Sequence, residues 1–177
     1  LMIEVETKYR LADKQSIAVK LKDLGFIGSE PVHQIDKVFL VNSDSFKTFK
    51  PGDPVTRIRT VNGVSSMTLK RAINKAGDTI EHEMTVDPGS SAEGFLLEMG
   101  YKSVTDVEKV RTEYKRDEIT VAVDEVAKLG AFLEIEIICK EGDEENARTK
   151  VMAMASDLQL SESDIVTKKY DQLISEL

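Results

Sequence analysis

The chain has 177 residues, 24 of them Lys or Arg and 32 Asp or Glu, for a formal net charge of −8, and 41% are hydrophobic. That length fits one soluble domain, residues 2–177, with a core of useful size. The acidic surplus excludes a general binder of nucleic acid or anionic membranes, which would need extra Lys and Arg to meet phosphates.

The first residues read as a strand, Ile3–Leu11. No secretory signal is therefore expected, and Leu1 ahead of Met2 reads as an added residue. A helix follows, with Asp13 as N-cap, Ile17, Leu21 and Leu24 at helical spacing, and Gly25 as its stop. Strands are expected over Asp36–Leu40, Val55–Val61, Ser65–Arg71 and Thr79–Val86, separated by turns at Pro51–Pro54, Asn62-Gly63 and Lys75–Asp78. Asn62-Gly63 is the clearest type I′ hairpin signal. Ser90 and Glu93 have the spacing of a capping box for a second helix, with Phe95, Leu96 and Met99 as its apolar face and Gly100 as its stop. Three further strands are expected, Val107–Arg116, Glu118–Val123 and Phe132–Cys139. A helix over Asp143–Leu158 follows, with the stripe Val151, Met152, Ala155 and Leu158, and then a short one near Tyr170–Ile174. Consecutive hairpins make the sheet antiparallel.

Leu24-Gly25-Phe26 and Met99-Gly100-Tyr101 each end a helix and are followed at equal offsets by Asp36 or Arg111 and by Phe39 or Tyr114. This suggests an internal repeat relating two halves of one sheet. No apolar run approaches the roughly 20 residues of a membrane helix. The lone Cys139 excludes an intrachain disulfide and a Cys-based zinc site, in keeping with a reducing, cytoplasmic setting.

The alternation within the strands puts charges on one face. Glu4, Glu6 and Lys8 oppose Ile3, Val5 and Thr7; Arg57 and Arg59 oppose Ile58; Lys70 opposes Leu69. Glu81 and Glu83 oppose Ile80 and Met84, Lys109 and Arg111 oppose Val110, and Glu134 and Glu136 oppose Leu133, Ile135 and Ile137. Asp124 closes a strand carrying Val121 and Val123. A charged solvent face is ordinary for an antiparallel sheet. Here, however, acids and bases come as same-sign doublets sorted by strand, an arrangement that repels itself unless opposite charge lies between. Such a face suits a polyphosphate with a divalent metal: Arg and Lys grip phosphate oxygens, and paired carboxylates hold Mg²⁺ or Mn²⁺. Rolled into a barrel, the sheet would gather both sets on its axis and leave the apolar faces for the helices. The glycine-rich phosphate loop, the kinase set and the nucleophile elbow are all missing, so phosphate binding would rest on side chains.

Glu4-Val5-Glu6-Thr7-Lys8 resembles the ExExK signature of the CYTH superfamily, the triphosphate tunnel enzymes that include class IV adenylyl cyclases and thiamine triphosphatases. The rest of the family pattern follows in order: Arg57-Ile58-Arg59, Thr68-Leu69-Lys70, Glu81 and Glu83, Lys109-Val110-Arg111 with Tyr114, Asp124, and Phe132 to Glu136. The resemblance implies an α+β fold, an eight-stranded antiparallel barrel with a hydrophilic tunnel and helices outside. It also implies that Glu4, Glu6, Glu134 and Glu136 hold the metal, that Lys8, Arg57, Arg59, Lys70 and Arg111 bind the triphosphate, and that Lys109 and Asp124 lie at the reacting centre. Residues 124–136 are most similar to the class IV adenylyl cyclase branch, which converts ATP to cyclic AMP and pyrophosphate. One departure is Asp36-Lys37-Val38-Phe39, where many relatives carry a Tyr before the aromatic. Two alternatives stay open: a triphosphatase acting on thiamine triphosphate or inorganic tripolyphosphate, and a non-catalytic polyphosphate- or nucleotide-binding module. A homodimer is a further implication of the family. His33 and His82 read as surface or core residues, Glu141 to Glu145 as a solvated helix start, and Tyr170 as core packing or a cap on the tunnel.

Overall fold

The computed structural model describes residues 2–41, 43–50, 52–74, 78–86 and 88–177. Of the expected turns, Pro51 and residues 75–77 lie outside the described residues. The elements in chain order are β1 (Met2–Arg10), α1 (Lys14–Asp23), β2 (Ile27–Gly28), β3 (Val32–Leu40), β4 (Val55–Val61), β5 (Val64–Ala72), β6 (Thr79–Val86), α2 (Gly89–Glu98), β7 (Lys102–Arg116), β8 (Ile119–Val126), β9 (Gly130–Lys140), α3 (Glu144–Asp157) and α4 (Tyr170–Ser175). A 3₁₀ turn covers Glu162–Asp164. Strand order is β2-β7-β3-β4-β5-β6-β1-β9-β8, and β8 pairs again with β7. Eight strands thus close into an antiparallel barrel with the helices outside, and the two-residue β2 is added at β7.

Contacts divide the chain into two compact units, Leu1–Val32 with Val110–Thr167, and His33–Lys109 with Lys168–Leu177. In the first unit, Ile3 and Val5 of β1, Val121 and Val123 of β8, and Leu133, Ile135 and Ile137 of β9 form one apolar face. Ile17 and Leu21 of α1 and Ala147, Val151, Met154 and Ala155 of α3 belong to the same buried cluster. In the second unit a smaller cluster joins Phe39 and Ile58 to Leu96 of α2. Each charged strand face is the one opposite these clusters, because neighbouring residues on a strand point to opposite sides. Among the described residues no helix is long and apolar enough to cross a membrane.

The helix stops behave as their sequence suggests. Asp13 caps α1 by accepting from the Gln15 and Ser16 amides at 2.9 and 3.3 Å. The amides of Leu24, Gly25 and Phe26 return to the carbonyls of Lys20, Lys22 and Leu21, and those of Met99, Gly100 and Tyr101 return to Phe95, Leu97 and Leu96 in the same pattern. Gly25 and Gly100 both sit at positive φ, +82° and +90°, where a side chain would be strained. Asn62 and Gly63 also have positive φ, 49° and 80°, as a type I′ turn requires.

Several expectations need correction. The Ser90–Glu93 capping box does not form: α2 already begins at Gly89 after Pro88, no side chain caps it, and Glu93 accepts instead from Lys37 of β3 at 2.7 Å. On α3 the buried methionine is Met154, while Met152 is 38% exposed. Strands β3, β7 and β9 run further than the apolar pattern indicates, beginning at Val32, Lys102 and Gly130. β2 is too short to give a periodic signal. A Cβ at its Gly28 would lie 2.9 Å from the Tyr114 ring, so the close pairing depends on glycine.

Truncating a buried helix residue should be costly and an exposed one cheap. Leu21→Ala is expected to lower unfolding free energy by about 2–5 kcal/mol, and Met152→Ala by less than about 1 kcal/mol, both read by urea denaturation.

Candidate active site

β1 and β9 pair so that Glu6 faces Glu136 and Lys8 faces Glu134. Side chains directly opposite in an antiparallel pair point to the same side, so two carboxylates are forced together at Glu6 and Glu136. Glu4, one step along the same face, joins them. One carboxylate oxygen from each of Glu4, Glu6 and Glu136 lies within 4.8 Å of the others. Three hard oxygen donors gathered this way fit Mg²⁺ or Mn²⁺, which prefer carboxylates, and the cation would relieve the like-charge repulsion.

Two residues further along these strands the chemistry changes. Lys8 Nζ lies 3.2 Å from Glu134 Oε1. Arg111 donates through Nε and Nη2 to both oxygens of Asp124, at 2.7 and 2.6 Å, and Nη2 also bonds Glu134. All four side chains are buried, Asp124 completely. Burying any one of these charges alone would be costly, and the ion pairs offset that cost. At the next position Phe132 faces Arg10 across the ladder, and the guanidinium stacks 4.7 Å from the ring centroid. The structure therefore groups Glu136 with Glu4 and Glu6, and places Glu134, one ladder step away, in a base-rich network with Lys8 and Arg111.

The second unit holds the other basic residues. Asp36 of β3 faces Arg59 of β4 and accepts from its Nε and Nη2 at 2.7 Å each, a bidentate fork. Arg57 Nη1 lies 4.0 Å from the same carboxylate. Arg57 Nη2 donates to Thr68 Oγ1 at 3.1 Å, and that hydroxyl donates to Glu83 at 2.7 Å. Lys70 pairs with Glu81 across β5 and β6. Lys109 Nζ sits 5.1 Å over the Tyr170 ring, a cation–π contact that ties β7 to α4. His33 and His82 are exposed, with His33 bonded to Glu108 at 2.8 Å.

Asp36 is the residue the sequence reading left out of the charged face. Burial pushes its pKa up, but the hydrogen bond from Arg59 and the charges of Arg59, Arg57 and Lys109 outweigh that and hold the carboxyl below its ordinary range. Its signal was available. It shares a face with Val38 by period two, and it occupies the repeat offset matched by Arg111. The two positions carry opposite signs and the same device: Asp36 receives a fork from β4, and Arg111 extends one to β8.

The CYTH domain family matches residues 2–170. A Methanocaldococcus jannaschii protein named as a candidate adenylate cyclase is 30% identical over 175 residues, covering 97% of this chain and 98% of that protein. The PH1012 structure from Pyrococcus horikoshii is 28% identical, with a TM-score of 0.84 over 96% of this chain and 98% of its own. A Hippeastrum structure, described as a candidate adenylyl cyclase with a dominant triphosphatase activity, shares the fold at 17% identity, with a TM-score of 0.67 over 99% of this chain and 96% of its own.

Because the folded pKa of Asp36 lies below the unfolded value of about 3.9, its ion pair contributes fully above that pH and is lost as pH falls through the depressed value. Asp36→Asn should therefore be less stable than the parent near neutrality, with the gap closing below about pH 4. Denaturation series from pH 7 to pH 3 measure this; a gap that stays constant with pH would show that the carboxylate gains nothing from its charge.

Proposed function

The chain belongs to the CYTH family, and on that premise we propose that it is a divalent-metal-dependent enzyme of triphosphate substrates, an adenylyl cyclase acting as a single tunnel domain. The observation carrying this reading is the carboxylate trio Glu4, Glu6 and Glu136 on the same strand face as the Lys8–Glu134–Arg111–Asp124 network. The first set offers oxygen donors to a cation. The second offers buried bases held in place by carboxylates. The named similarity to a candidate adenylate cyclase over nearly the whole chain favours cyclisation.

Mg²⁺ or Mn²⁺, held by Glu4, Glu6 and Glu136, would supply positive charge that neutralises phosphate oxygens and lowers the pKa of a bound hydroxyl. The protein's own side chains do the rest. Arg57, Arg59, Lys70 and Arg111 bind the polyphosphate, with Asp36 and Asp124 fixing the Arg59 and Arg111 forks. The Arg59 pairing uses Nε and Nη2, so a phosphate oxygen would be met at its Nη1. Lys8, held by Glu134, adds a fixed positive charge, and Lys109, steadied over Tyr170, stabilises charge at the reacting phosphorus. Preorganised donors of this kind act where charge develops and need no rearrangement during the reaction. In the cyclase reaction the ribose 3′-oxygen bonds to the α-phosphorus. The bond from that phosphorus to the bridging oxygen of the β-phosphate breaks, pyrophosphate leaves, and the hydroxyl proton passes to solvent.

A second reading, triphosphatase, is favoured by the activity ascribed to the Hippeastrum protein of the same fold. The same side chains would then hold the substrate shifted along the strands, with water attacking the terminal phosphorus.

A product assay separates the two readings. With Mg²⁺ or Mn²⁺, ATP is expected to give cyclic AMP and pyrophosphate. Orthophosphate from tripolyphosphate or thiamine triphosphate without cyclic AMP would establish the hydrolase, and no product from any of them would leave a binding module. Arg59→Ala and Glu134→Gln should each lower turnover by about 100-fold or more, as losses of preorganised charge do. Glu6→Gln should raise the Mn²⁺ concentration for half-maximal rate by about tenfold or more, and an unchanged metal requirement would move the metal away from the trio.

A further inference from the structure

Gln34 of β3 lies two residues before Asp36 and therefore on the same face, opposite the side covered by Phe39, Ile58 and Leu96. It is only 7% exposed, yet its side-chain oxygen Oε1 has no hydrogen-bond partner among the described residues. Buried polar atoms are nearly always paired, and an orphaned one calls for an explanation. Thr56 Oγ1 is in the same condition, but Thr56 faces Phe39 across the ladder and so belongs to the helix-covered side. Gln34 stands instead on the charged face, about 7 Å along the strand from the residue that fixes Arg59.

The chemistry of the orphan atom narrows its ligand. An amide oxygen accepts hydrogen bonds and cannot donate them. An ionised polyphosphate likewise presents only acceptors, so it cannot satisfy Oε1. A group carrying N–H or O–H can, and in a nucleoside triphosphate such groups lie beyond the phosphates, on the ribose or the base. We propose that Gln34 is the specificity-determining residue for the organic end of the substrate: its Oε1 accepts a hydrogen bond from a hydroxyl or amino group of the nucleoside while Arg57 and Arg59 hold the phosphates.

This inference rests on the triphosphate reading above, and its test keeps the two apart. Dissociation constants of ATP and of inorganic tripolyphosphate are measured by calorimetry for the parent and for Gln34→Met, which keeps the length and removes the amide. In Gln34→Met the ratio of the ATP constant to the tripolyphosphate constant should rise by about fivefold or more. Parent binding of inosine triphosphate, which lacks the base amino group, and of 2′,3′-dideoxy-ATP, which lacks both ribose hydroxyls, identifies the donor: the analogue missing it should bind the parent and Gln34→Met equally. Without ligand, Gln34→Met should melt no lower than the parent, because the atom removed had no partner. An unchanged ratio, or a ratio change accompanied by a lower melting temperature of the unliganded variant, overturns the proposal for Gln34. A parent that binds neither ATP nor tripolyphosphate overturns both this proposal and the triphosphate reading, whereas a parent that binds both and yields no product overturns only the enzymatic reading.

Discussion

A charge buried against a sheet survives only if something of opposite sign reaches it, and most of this protein's distinctive geometry follows from that constraint. Lys8, Glu134, Arg111 and Asp124 are all buried and linked in that order by ion pairs. Asp36 and Arg59 repeat the solution with a fork of two 2.7 Å bonds. Such pairs add little net stability compared with apolar residues of similar size. What they do provide is orientation, since a guanidinium held at two atoms by a buried carboxylate can point in only one direction.

The stability comes from the other faces of the same strands. Ile3, Val5, Leu133, Ile135 and Ile137 alternate with Glu4, Glu6, Glu134 and Glu136, so each residue of the acid ladder is positioned by a neighbour locked under α1 or α3. A one-residue slip of β1 against β9 would bury carboxylates under the helices and expose the core, which makes the register, and hence the Glu6–Glu136 juxtaposition, hard to lose. The packed face thus fixes the juxtaposition of carboxylates on the polar face.

Much of this was legible in the sequence. Period-two alternation exposed the polar face, and the Glu-x-Glu and Arg-x-Arg doublets showed that its charges were sorted. The cross-strand neighbours of the carboxylates were not legible, because they depend on register: Glu134 and Glu136 look equivalent in sequence, yet Glu136 faces Glu6 while Glu134 faces Lys8. Asp36 escaped notice for a related reason. It lies on a short stretch without a same-sign doublet, so period two and the repeat offset give its face but not its partner, which cross-strand pairing makes Arg59. Ser90 and Glu93 show the reverse error, where a local capping signal lost to a longer-range ion pair with Lys37.

The reversed signs at Asp36 and Arg111 bear on how such a site could divide its work. Both positions follow a helix ended by the same hydrogen-bond pattern, and both make a two-atom fork to a partner strand. At one the acid comes first in the chain and at the other the base does, so each fork presents its guanidinium from a different strand of its pair. Arg59 is oriented by a carboxylate that has Arg57 as its next neighbour, so loss of Asp36 would loosen two guanidinium groups at once. Arg111 shares its partner set with Lys8 through Glu134, so loss of Glu134 would leave two buried cations undercompensated. The carboxylates of both forks therefore control how the guanidinium groups they hold are placed, and in this fold both partners are set by the same alternation of residues along the strands.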